Sequence, residues 1–163
     1  MMISKKICEA LNKQITNEFF SAQVYLAMAC YFDSKALKML AKHFRRQTEE
    51  EREHAYKIMD YILEQGGQVT LEAIDAPQND YPSVVAALEA AVDHEKAVTR
   101  QINELADLAA KENDLATRHM LGWFIEEQVE EVASMQHLLD IARMCGNAVL
   151  QLEAYMIHHG GNS

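Results

Sequence analysis

Residues 46–58 read RQTEEEREHAYKI, and the fold turns on how this run sits in its surroundings. On either side of it Leu37, Ala41, Phe44, Ala55, Ile58 and Ile62 recur at helical spacing, as expected of a helix with one buried face. Between Phe44 and Ala55 the stripe passes through Glu51, with His54 one turn on. A carboxylate and an imidazole therefore stand where packing asks for leucine. A single such glutamate is ordinarily a helix end or a shifted register. The rest of the chain repeats the anomaly.

Working outward, an amphipathic stretch begins at Ser4 and carries Leu11, Ile15, Ala22, Tyr25, Ala29 and Phe32 on its stripe, with a break around Asp33 and Ser34. Gly66-Gly67 closes the second stretch, as glycine commonly does just past a helix. Residues 67–82 have no steady period and contain Pro77, Asn79, Asp80 and Pro82, which reads as a linker. A third stripe follows in Val84, Leu88, Ala91, Val98, Ile102, Leu105 and Ala109, and a fourth in Leu121, Phe124, Met135, Leu138 and Ala142. Asn113 and Asp114 are N-cap residues for the fourth helix, and Gly146 ends it. The expected helices are 4–33, 36–65, 83–111, 114–145 and a short fifth at 148–158, an all-α chain with a crossover at 67–82. A helix of about 28 residues is roughly 42 Å long. An extended linker of about 15 residues reaches roughly 50 Å, so it can span the bundle from end to end.

The polar interruptions fall on all four long helices. They are Glu18 on the first, Glu51 and His54 on the second, Glu95 on the third, and Gln128 and Glu131 on the fourth. Burying an unpaired carboxylate costs on the order of several kcal/mol. No Lys or Arg occupies these stripe positions, so a bound cation is the economical compensation. Spacing sharpens this: Glu18 to Glu51 and Glu95 to Gln128 are both 33 residues, and adding 77 carries Glu18, Glu51 and His54 onto Glu95, Gln128 and Glu131. The chain reads as two related helical hairpins whose polar sites meet at mid-length. Glu51-x-x-His54 offers two ligands from one helical face. Oxygen donors with one imidazole suit iron or manganese better than structural zinc. A glutamate shared between two such ions would let O2 or peroxide take an electron from each.

Bulk composition agrees. The 163 residues include only 6 Gly and 2 Pro, which leaves few helix breakers. A net charge of −10 disfavours nucleic-acid binding and favours cations. Cys8, Cys30 and Cys145 lack metal or disulfide spacing and read as reduced thiols in a cytoplasmic protein. No signal peptide, apolar membrane span or Gly-rich phosphate loop is seen. The acidic run Thr48–Glu53 is either a solvated face or a lining for mineral. The 9 methionines suit core packing, and His158 and His159 suit a tail.

The segments NEFFSAQVYLAMA (17–29), RQTEEEREHAYKI, DHEKAVTRQIN (93–103) and WFIEEQVEE (123–131) together resemble the bacterial and archaeal non-haem ferritins over essentially the whole chain. The resemblance implies a single ferritin-like domain over 1–163, an antiparallel four-helix bundle with one long crossover and a short C-terminal helix. It implies a ferroxidase that oxidises Fe(II) with O2 or H2O2 and stores ferric mineral in a homo-oligomeric cage of twenty-four subunits. Glu18, Glu51 and His54 would hold the first iron, and Glu51, Glu95 and Glu131 the second, with Gln128 beside the pair. A third iron site would fall to Glu50, Glu127, Glu130 and Glu131. Tyr25 and Trp123 match aromatics near the centre, which serve either as electron donors or as core packing.

Departures set limits on related families. Bacterioferritins carry a second ExxH where this chain has Gln128-x-x-Glu131, and a haem-binding methionine where it has Arg52, so no haem is expected. Rubrerythrins add a cysteine-rich module, and the DNA-protecting mini-ferritins place their metals between subunits. The acids that line the three-fold channels of animal ferritins correspond to Arg118 and Leu121, so the resemblance does not extend to that channel. The competing reading is a non-storage di-iron or di-manganese bundle that scavenges peroxide.

Overall fold

The computed structural model describes residues 2–160. Five helices follow in order: α1 (Lys5–Ser34), α2 (Lys38–Glu64), α3 (Val84–Lys111), α4 (Leu115–Cys145) and α5 (Val149–His159). Among the described residues there is no strand. Local chemistry sets the ends. Ser4, Ser83 and Asp114 cap α1, α3 and α4, each accepting a hydrogen bond from the backbone N–H three residues on. At α2 the N-cap residue is Leu37, which cannot accept. Glu153 of α5 supplies the missing acceptors, taking the N–H groups of Met39 at 2.8 Å and Leu40 at 2.9 Å. Its charge also suits the positive end of the α2 dipole.

Three helices stop in the same way. The N–H two residues past the cap bonds back to the third-last helical carbonyl, and the N–H before it to the second-last, with the intervening residue left-handed. That residue is Ala36 after α1, Gly66 after α2 and Asn113 after α3, with φ of 61°, 72° and 55°. Two expectations shift accordingly. The first break lies at Lys35–Leu37 rather than at Asp33 and Ser34, because the left-handed residue that ends the helix is Ala36, with the Ala36 and Leu37 N–H groups bonding back to Asp33 and Phe32. Asn113 terminates α3, and Asp114 alone caps α4.

α1 packs chiefly on α2 and α3 on α4, α1 also meets α3, and α5 rests on α4 and α2. Residues 67–82 run between α2 and α3 with no regular structure. Asn12 pins the start of this crossover, donating to the Gln68 carbonyl at 2.9 Å and accepting from the Thr70 N–H at 2.7 Å. Tyr81 anchors its far end against Tyr31, with ring centroids 5.3 Å apart.

The apolar core is divided in two. One cluster joins Ile7, Leu11 and Ile15 of α1 to the C-terminal half of α2, the C-terminal half of α3 and the start of α4. The other joins Tyr25, Met28 and Phe32 to the start of α2, the start of α3, the end of α4 and Leu152 of α5. This pairing makes α2 and α3 parallel to each other and antiparallel to α1 and α4. The crossover therefore traverses the bundle length. No helix is long and apolar enough to cross a membrane among the described residues.

Candidate metal centre

Between the two apolar clusters lies a slice of polar side chains, one or two from each long helix. Glu18, Glu51, His54, Glu95 and Gln128 are each at most 4% exposed, and Glu131 is 9% exposed. The structure thus brings together every residue singled out on the four stripes. Ligand atoms within 4.8 Å of one another form three groups: Glu18, Glu51 and His54; Glu51, Glu95 and Glu131; and His54, Glu127 and Glu131. Glu51 belongs to the first two, as a shared ligand must. His54 faces both ways. Its Nδ1 lies 3.4 Å from Glu51 and 4.0 Å from Glu18, and its Nε2 lies 3.7 Å from Glu131 and 3.9 Å from Glu127.

The carboxylates differ in how much of their hydrogen-bonding capacity is used. Both oxygens of Glu95 are occupied, Oε1 by the Tyr25 hydroxyl and Oε2 by the Gln128 amide at 3.1 Å. Glu18 is half occupied: Gln14 donates to Oε1 at 2.8 Å, and Oε2 has no partner. Neither oxygen of Glu51 or Glu131 has a partner. Buried polar atoms are nearly always satisfied, so five orphaned carboxylate oxygens in one slice call for an explanation.

Electrostatics says the same. Burial pushes the Glu18 carboxyl up, against the opposing pull of His54 and the Gln14 hydrogen bond. Burial and then the like charges of Glu18, Glu131 and Glu95 hold Glu51 well above the usual carboxylate range. Burial, then Glu95, Glu18 and Glu50, drive Glu131 up to about 10. Without a cation Glu131 keeps its proton at neutral pH. Among the described residues His54 is the one basic side chain within 4 Å of Glu18, Glu51 or Glu131. Close acids with no guanidinium or ammonium suit a hard divalent cation.

Tyr25 is fully buried, packs against Phe44 and His94 with ring centroids at 5.7 and 5.6 Å, and directs its hydroxyl at Glu95. Burial and the charge of Glu95 raise its pKa well above 10. Trp123 sits edge-on to His54 at 5.5 Å but is 37% exposed, with the Lys57 ammonium 4.4 Å from its ring centroid. Of the residues expected at a third site, Glu127 and Glu131 join His54. Glu50 is hydrogen-bonded by Gln47 at 2.9 Å and paired with Arg46 at 3.5 Å, and Glu130 is exposed; both fall outside the three groups. An open cleft of about 740 Å³, lined by Glu50, Glu53, Asp60, Trp123 and Glu127, leads to His54.

Sequence reading missed the supporting residues. Gln14 and the Ser21–His94 pair, 2.8 Å between Oγ and Nε2, are buried or half-buried beside the slice. A signal for Gln14 existed. It precedes Glu18 by one helical turn on the α1 stripe, a second polar residue where an apolar one belongs.

Fold and site together define a helical bundle with a carboxylate-rich slice at its waist, whose side chains form overlapping groups able to hold metal. The ferritin-like domain family model matches residues 8–144. A bacterial non-haem ferritin of Staphylococcus aureus is 38% identical over 135 residues, covering 83% of this chain and 81% of its own. A ferritin of Mycobacterium tuberculosis is 38% identical over 146 residues, covering 90% and 81%. The crystal structure of an open-pore ferritin from Archaeoglobus fulgidus superposes with a TM-score of 0.92 at 42% identity, covering 95% of this chain and 96% of that one. A humanised archaeal ferritin gives 0.94 at 40% identity and 99% coverage of each chain. The chain belongs to the ferritin family, whose members store iron.

Proposed function

We propose that this protein oxidises Fe(II) at the buried carboxylate slice and stores the ferric product as mineral inside a hollow homo-oligomer. One observation carries the reading: five buried, unpartnered carboxylate oxygens surround a single imidazole between two apolar clusters. Glu18, Glu51 and His54 would take one Fe(II), and Glu51, Glu95 and Glu131 the other. Each Fe(II) gives up one electron. O2 takes two electrons and two protons and leaves as H2O2, or H2O2 takes two and leaves as two waters.

The chain's own residues do the rest. Glu18, Glu51 and Glu131 release protons as the cations enter, which keeps the slice near neutrality in both states. Gln128 and the Tyr25 hydroxyl fix the Glu95 carboxylate. The Glu95 oxygen beside that hydroxyl is placed to receive its proton if Tyr25 supplies an electron. His54 Nε2, Glu127 and Glu131 extend the site toward the acidic cleft that Glu50 lines, and Glu50, Glu127, Glu130 and Glu131 would hold a third iron there. The protein acts as one domain over 1–163, in a cage of twenty-four copies in the cytoplasm.

Aerobic mixing with Fe(II) should give a rise in ferric absorbance that Glu51→Ala and His54→Ala slow at least tenfold. Unchanged initial rates in both variants would sink the site assignment. Size-exclusion chromatography with negative-stain imaging tests storage. A hollow particle of several hundred kilodaltons supports it, and a persistent dimer points to a non-storage peroxide scavenger.

A further inference from the structure

Gln14 belongs to no metal group, yet it is 2% exposed and reaches the slice directly. Its amide nitrogen donates to Glu18 Oε1 at 2.8 Å and to the side-chain oxygen of Gln101 on α3 at 3.2 Å. Its own oxygen accepts from the Asn17 amide at 3.2 Å. The Glu18 contact settles the orientation of the amide. An ionised carboxylate only accepts, so the NH2 group must face Glu18, and the Asn17 amide donates to the oxygen left on the other side. The consequence falls on Glu18, whose Oε1 is taken and whose Oε2 is left bare. Oε2 is also the oxygen that faces His54 Nδ1.

The rest of the slice shows why this matters. Glu51 and Glu131 have no such restraint, so each can offer either oxygen or both. Glu95 is restrained on both oxygens, and its partners Tyr25 and Gln128 come from α1 and α4. The two metal groups therefore differ in what holds their terminal glutamate. The one containing Glu18 is set by a glutamine on the same helix, tied across to α3.

We propose that Gln14 is a positioning residue for the first metal site. It holds Glu18 as a one-oxygen ligand through Oε2 and so sets the affinity of that site separately from its neighbour. This rests on the metal-centre reading above. Ligating carboxylates are commonly held by a hydrogen bond from outside the ligand set, and loss of that bond typically weakens metal affinity about 10- to 100-fold. Asn17 and Gln101 act one step further out, Asn17 by orienting the amide and Gln101 by holding it against α3.

Calorimetric titration of the metal-free, assembled protein with Co²⁺, read together with cobalt d–d absorption, tests this without turnover. The wild type should bind two Co²⁺ per subunit. Gln14→Met, nearly the same shape but without the donor, should weaken one step by about 10- to 100-fold and leave the other within about threefold. Glu18→Ala should weaken the same step, which identifies it as the Glu18 site. The absorption of the cobalt bound in that step should also change, because Glu18 is free to bind through both oxygens. Asn17→Ala retains Gln14 but frees its amide to turn, and should give a smaller loss at the same step. That variant carries the test if circular dichroism shows that Gln14→Met does not fold. Equal weakening of both steps, or no change in either step and in the spectrum, overturns the proposal for Gln14. A wild type that fails to bind two Co²⁺ per subunit refutes the metal centre itself.

Discussion

Metal-free protein should lose stability as pH rises, and Glu131→Gln should remove much of that loss. Glu131 ordinarily ionises near 4.5 but in the fold is pushed up to about 10, by burial first and then by Glu95, Glu18 and Glu50. Below pH 4.5 the carboxyl is protonated in both folded and unfolded chains, and pH has no effect through it. Between 4.5 and about 10 the unfolded chain has given up the proton and the folded chain has kept it. Each pH unit in that window then costs the fold about 1.4 kcal/mol per retained proton. By pH 7 the cost through Glu131 alone is about 3 kcal/mol. For a chain of this length, 1.4 kcal/mol corresponds to a shift in Tm of roughly 4 °C. Scanning calorimetry in EDTA at pH 5.5, 6.5 and 7.5 would measure the slope. The wild type should fall by at least roughly 4 °C per unit, since Glu18 and Glu51 are raised as well. Glu131→Gln should flatten the profile by about one proton's worth or more, because removing one acid also relaxes its neighbours. Saturating Zn²⁺ should abolish the slope in the wild type by replacing the protons. Parallel profiles for wild type and variant, or a Tm that climbs with pH in both, would refute the account of the slice as protonated acids awaiting a cation.

Three further outcomes follow from the same geometry. Zn²⁺ binding to the metal-free protein should release protons, seen as a calorimetric enthalpy that varies with buffer, and affinity should fall as pH drops from 7.5 to 6. Tyr25→Phe leaves Glu95 Oε1 unpaired in a fully buried position and should destabilise the fold by about 1.5–3 kcal/mol in urea titrations. Phe44→Ala should cost about 3–5 kcal/mol by the same measurement, because Phe44 is fully buried and packs on both Tyr25 and Phe32.

The bundle was legible because its two signals are both local. Stripes at helical spacing mark the faces, and nearly every residue assigned to a stripe is buried, Val84 at the edge of α3 being only partly so. The polar slice was legible because each interruption breaks a stripe, and one interval of 33 residues occurs in both hairpins. What escaped were features that depend on a partner distant in sequence. Glu153 caps α2 from α5, more than a hundred residues away, and nothing near Leu37 advertises the need. Ser21 meets His94, and Gln14 meets Gln101, only after the hairpins dock. Asn113 was misassigned because asparagine suits both an N-cap and a left-handed C-terminal position, and here the second use prevailed. The third-site roles of Glu50 and Glu130 rest on the family resemblance rather than on a break in a stripe, and in this structure Arg46 and Gln47 engage Glu50.

The division of the core explains how the chain tolerates so many buried acids. Each long helix contributes apolar residues to both clusters, so either side of the slice alone can hold the four helices in register. The acids then need not stabilise the fold. They need only avoid preventing it, and holding protons while no cation is present meets that requirement. A continuous apolar core would be more stable but would have no room for charge. A slice at one end of the bundle would admit water, which would screen the acids and weaken their hold on a cation. At mid-length the walls are apolar above and below, and an acidic cleft opens on the side where His54 and Glu127 meet. The Glu51-x-x-His54 run is thus intelligible at three levels: a break in a hydrophobic stripe, the seam between two cores and, in the function proposed, the place where a cation replaces a proton.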